Sequence, residues 1–74
     1  MRNVAIIGAG IGREHAAGYA ALPDLFRVRT ICDLDAARGG ALAEEHGAAL
    51  TADFEGVLAD PEIDIVDICL PPHL

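Results

Sequence analysis

Three glycines, Gly8, Gly10 and Gly12, follow the apolar run Val4-Ala5-Ile6-Ile7, and Asp33 ends the second apolar run Phe26-Arg27-Val28-Arg29-Thr30-Ile31-Cys32. A strand that breaks into glycines and reopens as a helix forms a phosphate cradle, because small residues let backbone N–H groups approach an anion at the positive helix terminus. Gly8 supplies the tight turn out of the strand, and Gly10 lets a pyrophosphate approach the backbone. In the pattern G-x-G-x-x-G the third glycine would fall on Arg13, whereas the third glycine here is Gly12. Two readings stay open: a loop one residue shorter than usual, or Arg13 as a side-chain partner for phosphate. The expected contacts of this loop are Gly8, Gly10, Ile11, Gly12 and Arg13.

Asp33 stands about 20 residues beyond the glycine turn, where a carboxylate meets ribose hydroxyls. Two hydroxyls donating to one carboxylate form charge-assisted hydrogen bonds of about 1.5–3 kcal/mol each. The expected cofactor is therefore NAD. A 2′-phosphate set against Asp33 would bring two anions together, which disfavours NADP. Arg38, on the first turn of the following helix, is the residue that would favour a phosphate instead.

These residues need strands and helices to hold them. The pattern predicts strand 1 at 3–8 and a helix at 12–22, rich in alanine and stopped by Pro23-Asp24. Strand 2 is expected at 27–33, and a second helix at 36–46, capped by Asp35 and closed by Gly47. Gly39-Gly40 inside that helix costs about 1 kcal/mol per glycine, so it is expected to fray. A short strand at 48–51 leads to a helical turn capped by Asp53, with Phe54, Val57 and Leu58 on one face. The last strand is expected at 63–70, stopped by Pro71-Pro72. Strands alternating with helices mean an α/β, Rossmann-type parallel sheet with helices on both faces.

A chain of 74 residues makes at most one small domain, and this size buries only about 60–65% of its unfolded surface. A formal charge of −7, with five arginines and no lysine or basic cluster, argues against nucleic acid and anionic membrane as partners. No apolar stretch approaches the about 18 residues of a membrane span, and Met1-Arg2-Asn3 leads straight into strand 1. The expected location is cytoplasmic.

The segments Gly8-Ala9-Gly10-Ile11-Gly12-Arg13-Glu14-His15, Cys32-Asp33-Leu34-Asp35, Leu58-Ala59-Asp60-Pro61-Glu62-Ile63-Asp64 and Val66-Asp67-Ile68-Cys69-Leu70-Pro71-Pro72-His73 succeed one another along the chain. In that order they resemble the landmarks of the glucose-fructose oxidoreductase and inositol dehydrogenase family. The resemblance implies an NAD(P)-dependent oxidoreductase acting on sugars, polyols or related compounds, with a dinucleotide-binding domain followed by a substrate domain. It implies that Leu70 and Pro71 lie at the nicotinamide end of the site, Leu70 standing where a threonine often precedes the proline. The family's catalytic lysine belongs to a Glu-Lys-Pro segment, and this chain contains no lysine. Residues 1–74 are accordingly expected to be the N-terminal part of a dinucleotide-binding domain, inactive on their own, with the rest of that domain and the substrate domain outside this chain. An apolar last strand left at the sheet edge leads to an expectation of a homo-oligomer.

Three other functions fit parts of the pattern. A flavin monooxygenase opens with a similar glycine run but usually ends strand 2 in glutamate. A methyltransferase generally needs an acidic residue before its first glycine, where this chain has Ile6-Ile7. A nucleotide-sensing module without catalysis would keep the cradle alone. Among the other candidates, His15 is expected to pack on the first helical turn and His46 to meet a helix dipole. His73 follows the last strand at its carboxyl end, where open α/β sheets bind ligands. The spacing of two cysteines and three histidines forms no metal signature. Cys32 and Cys69, on strands 2 and 4 with strand 1 between them, are expected to remain free thiols.

Overall fold

Val4-Ala5-Ile6-Ile7 is apolar at every position, a pattern that suits only a strand covered on both faces. The computed structural model, which describes residues 1–71, places this run at the centre of the molecule. The chain runs β1 (Arg2–Ile7), α1 (Ala9–Ala20), β2 (Phe26–Cys32), α2 (Ala36–His46), β3 (Ala49–Thr51), α3 (Phe54–Ala59) and β4 (Ile65–Ile68). Its strands form one sheet in the order β3-β2-β1-β4, and every pairing is parallel.

Side chains alternate across β1 because successive residues of a strand point to opposite faces. Val4 and Ile6 pack with Ala16 of α1, with Val28 and Ile31 of β2 and with Leu42 of α2. Ala5 and Ile7 face the other way and pack with Cys32 and with Val57 of α3. Tyr19 and Phe26 close the first layer edge to face, with ring centroids 5.1 Å apart. Asp35 caps α2 by accepting from the Arg38 N–H at 3.0 Å, and Asp53 caps α3 by accepting from the Gly56 N–H at 3.0 Å. Gly47, in the left-handed region at φ 64°, ends α2. Cys32 and Cys69 are both free and buried.

Four expectations need correction. Helix α1 begins at Ala9 rather than three residues later, because the glycine turn is compressed into Gly8 alone. Strand β4 covers only Ile65–Ile68; the backbone before it is tied by Asp64 N–H donating to the Asn3 carbonyl at 2.9 Å. Only Val57 of the α3 face is buried, while Phe54 and Leu58 are exposed. The pair Gly39-Gly40 lies within a continuous α2, and a Cβ at Gly39 would stand 2.8 Å from Leu50 Cδ1 and 2.9 Å from Asp33 Cβ. The missing side chain at Gly39 is what lets α2 sit against the end of β2.

Helix α1 rests on β1 through Gly12, where a Cβ would overlap Ile6 Cγ2, a side chain with no exposed surface and no room to move. Gly18, on the same helix, faces open space. We therefore expect Gly12→Ala to destabilise the fold by about 1–3 kcal/mol through overpacking, and Gly18→Ala to stabilise it by about 0.5–1 kcal/mol. Urea denaturation of the two variants checks this, and equal effects would contradict the packing described.

Candidate functional site

The carboxyl ends of β1 and β2 meet at Gly8 and Asp33, and the chemistry of the site starts there. Gly8 has φ 95°, a left-handed conformation that side chains other than glycine adopt only with strain. A Cβ on Gly8 would also stand 2.8 Å from the Cys69 carbonyl oxygen. The residue therefore serves as the tight turn that the sequence assigns to it.

An α-helix leaves its first N–H groups without intrahelical partners. Here Gly8 N–H donates to the Cys32 carbonyl at 2.9 Å and Gly12 N–H closes the first helical bond onto Gly8. Ala9 N–H donates to Asp33 Oδ2 at 2.9 Å. What remains for an anion is the pair of N–H groups on Gly10 and Ile11, at the positive end of a 12-residue helix that has no acidic residue in its first turn.

Asp33 is buried at the foot of this turn and is saturated with donors. Besides Ala9, the Asp35 N–H donates to Oδ1 at 2.9 Å. Arg38 completes the set, Nε donating to Oδ2 at 3.0 Å and Nη2 to Oδ1 at 3.1 Å. A carboxylate offers about four acceptor positions, and all four are filled. The Arg38 hydrogen bonds, with those from Asp35 and Ala9, outweigh burial and hold the Asp33 carboxyl down at about 2. Burial, and then the neighbouring Asp33 charge, push the Cys32 thiol upward.

A cleft of about 450 Å³ opens beside this carboxylate, lined by Gly8, Asp33, Leu34, Arg38, Phe54 and Leu70 among others. Leu34 is 90% exposed, so a large apolar side chain stands in water at the mouth of the cleft. The cleft brings together Gly8, Asp33 and Leu70 from the residues that the sequence nominates. Gly10 stands beside it, with Arg38 Nη1 at 3.7 Å from where its Cβ would be. Ile11 is about half exposed next to the free N–H groups. Gly12 faces Ile6, so it takes up the helix–strand packing expected of a third glycine and the loop is the shorter form. Arg13 lies 3.8 Å from Glu45 of α2 and does not line the cleft. Pro71 is half-buried at the end of the described residues, and His73 lies outside them. Sequence reasoning missed the bidentate grip of Arg38 on Asp33, and it missed Leu34 and Phe54 as lining.

A second polar group lies between α1 and β4. Asp67 Oδ2 accepts from Tyr19 Oη at 2.9 Å and lies 2.8 Å from His15 Nδ1. Cys69 Sγ stands 3.3 Å from the same nitrogen and 3.4 Å from Asp67 Oδ1. Burial raises the Asp67 carboxyl, but the hydrogen bonds from His15, Tyr19 and Cys69 outweigh it and the net direction is down. Burial and the Asp67 carboxylate push the Cys69 thiol up to about 12 and raise the Tyr19 hydroxyl as well. The sequence gives no local signal for this group, because its members are more than 45 positions apart across α1 and β4.

Comparisons with known proteins agree with the geometry. The family model described as oxidoreductase family, NAD-binding Rossmann fold, matches residues 2–74. An uncharacterized oxidoreductase, YrbE of Bacillus subtilis, is 37% identical over 89% of this chain and 20% of its own length. A levoglucosan dehydrogenase of Pseudarthrobacter phenanthrenivorans is 32% identical over 97% of this chain and 21% of its own. The crystal structure of a myo-inositol dehydrogenase from Corynebacterium glutamicum superposes with a TM-score of 0.86 at 38% identity, over 96% of this chain and 21% of that one. Levoglucosan dehydrogenase in complex with NADH superposes with a TM-score of 0.83. The chain thus spans about a fifth of the length of the relatives it matches, and neither the flavin nor the methyltransferase reading is favoured. No helix among the described residues is long and apolar enough to cross a membrane.

The Asp33 network carries a pH signature. A carboxyl held at about 2, against an ordinary 3.8, contributes stability that is present in full above the ordinary value and is lost as the pH falls toward the folded value. We expect the stability difference between the native chain and Asp33→Asn to be constant above about pH 5 and to shrink below it. Denaturation curves collected across acidic pH check this, and a difference that persists at the acid end would show that the Asp33 carboxyl is not held below its ordinary value.

Proposed function

This chain belongs to the oxidoreductase family with an NAD-binding Rossmann fold, and from that premise we propose that residues 1–74 are the dinucleotide-binding part of an enzyme that moves hydride between nicotinamide and a sugar, polyol or related compound. The single observation that carries the reading is the pairing of two free helix N–H groups, on Gly10 and Ile11, with a buried carboxylate, Asp33, at the end of the adjacent strand. Gly10 and Ile11 hold a pyrophosphate, and Asp33 holds the ribose hydroxyls of the adenosine half. The exposed apolar side chains of Leu34 and Phe54 supply a surface for the adenine ring. When bound, NAD supplies the hydride acceptor.

The full donor set on Asp33 dictates how a ribose enters. Ala9 and Asp35 donate from the backbone and stay, which keeps the carboxylate aimed. The two bonds from Arg38 are made by a side chain that is 55% exposed, and these are the ones a pair of hydroxyls replaces. Arg38 is then released next to Gly10, within reach of the phosphate region. NADP would gain Arg38 but would set its 2′-phosphate against a carboxylate that stays ionised down to about 2, so NAD is preferred.

The sugar or polyol class is supported by the levoglucosan and myo-inositol dehydrogenases among the relatives. We further propose that the isolated chain transfers no hydride, since it contains no lysine for the proton-transfer role that the family resemblance assigns to one. Strand β4 lies at the sheet edge with Ile68 exposed, which supports pairing with a further strand or a second copy.

Calorimetric titration with NAD and with NADP tests the proposal. NAD is expected to bind tighter than NADP by at least about tenfold, or 1.4 kcal/mol. Asp33→Ala should weaken NAD by about 1.5–3 kcal/mol, while Arg38→Ala should leave NAD binding at least as tight and lower NADP affinity. Equal affinity for the two dinucleotides in the native chain would overturn the role of Asp33.

A further inference from the structure

The group between α1 and β4 presents three different donor atoms, on His15, Asp67 and Cys69, all within 4.8 Å of one another. We propose that it binds one borderline-soft divalent cation of the zinc class, held by Cys69 Sγ, His15 Nδ1 and an Asp67 carboxylate oxygen, with water in the remaining position.

The placement follows from periodicity. Asp67 and Cys69 are two apart on and just beyond β4, so they project to the same face of the sheet. His15 and Tyr19 are four apart on α1 and share one side of the helix. The packing of α1 on the sheet brings the two pairs together.

The distances suit an ion. Donors on a tetrahedral zinc, at about 2.0–2.3 Å from the metal, lie about 3.3–3.6 Å from one another. Cys69 Sγ already stands 3.3 Å from His15 Nδ1 and 3.4 Å from Asp67 Oδ1. Asp67 Oδ1 is thus the ligating oxygen; the contact between Nδ1 and the other oxygen, Oδ2, at 2.8 Å, is the hydrogen bond that the metal replaces. Tyr19 Oη donates to Asp67 Oδ2 at 2.9 Å, the outer hydrogen bond that fixes a ligating carboxylate.

Ligand chemistry narrows the ion. A thiolate with an imidazole selects zinc-like metals over magnesium or calcium, which take oxygen ligands. On binding, bonds form from the metal to sulfur, nitrogen and oxygen; the Cys69 S–H bond breaks and its proton passes to solvent, and the neutral His15 ring carries its own proton on Nε2, leaving the Nδ1 lone pair for the metal. His15 and Asp67 also line a hollow of about 310 Å³ with Gly18, Tyr19 and Leu22, with no lysine or arginine among them. None of the three ligands lines the cleft beside Asp33, so this inference stands apart from the dinucleotide reading.

Cobalt(II), added to the chain under a non-thiol reductant, is the probe. The expected result is one bound ion per chain with a thiolate-to-cobalt absorption band, displaced by zinc. Cys69→Ser should abolish the band, and His15→Ala, at a side chain already 46% exposed, should weaken cobalt binding at least about tenfold. Cys32→Ser and His46→Gln should leave both unchanged. Circular dichroism shows whether the buried Cys69→Ser variant folds; if it does not, the His15→Ala result decides. Absence of a thiolate band in the native chain, its survival in a folded Cys69→Ser, or unchanged affinity in His15→Ala would overturn the proposal.

Discussion

The Asp33 carboxylate is the point to which the first half of the chain is fastened. It accepts from the first residue of α1, from the capping residue of α2 and from the first turn of α2, while its own N–H donates to Thr51 of β3 at 3.1 Å. One buried anion thus sets the start of two helices at the end of β2, and the same residue's N–H ties in β3. An ionised carboxylate costs several kcal/mol to bury unless it is matched by donors. The four donors are what make the position tenable. Two of them come from a half-exposed arginine side chain, which is why the proposed ligand exchange falls on that arginine and not on the backbone donors.

The glycines divide their work according to what lies behind them. Gly8 answers to the carbonyl of Cys69 and to its own positive φ, Gly12 to Ile6, and Gly39 to Asp33 and Leu50. Two of these contacts bring a helix onto the sheet, and the third turns the chain. Of the three glycines of the turn, Gly10 alone meets no backbone or core side chain, and it is there that a free N–H and a nearby guanidinium meet. Shortening the loop by one residue moves the packing glycine closer to the turn without removing any of these functions.

Much of this was legible in residue order. The run Val4 to Ile7 announces a strand buried on both faces, Asp35 and Asp53 announce helix starts, and Gly47 announces a helix end. The spacing from Gly8 to Asp33 fits a ribose carboxylate on the strand beside the glycine turn. What the sequence hides depends on side-chain reach and on long-range packing. Arg38 reads as a candidate phosphate partner, and its grip on Asp33 emerges only once α2 is docked through Gly39. Phe54 and Leu58 read as core because the helical period alone cannot say how much sheet α3 has to cover. His15, Tyr19, Asp67 and Cys69 become neighbours only once β4 pairs with β1, a contact between segments more than 50 residues apart.

The central claim is that Gly10 and Ile11 receive a pyrophosphate while the hydroxyls of a ribose displace Arg38 from Asp33. Proton–nitrogen correlation spectra of the chain, recorded as NAD is added, test it most directly. The amide signals of Gly10 and Ile11 and the side-chain Nε–H signal of Arg38 should move together and saturate at the same concentration, while those of Ala9 and Asp35 stay hydrogen-bonded to Asp33. Saturable NAD binding that leaves the Gly10 and Ile11 amides or the Arg38 Nε–H unmoved would contradict the account.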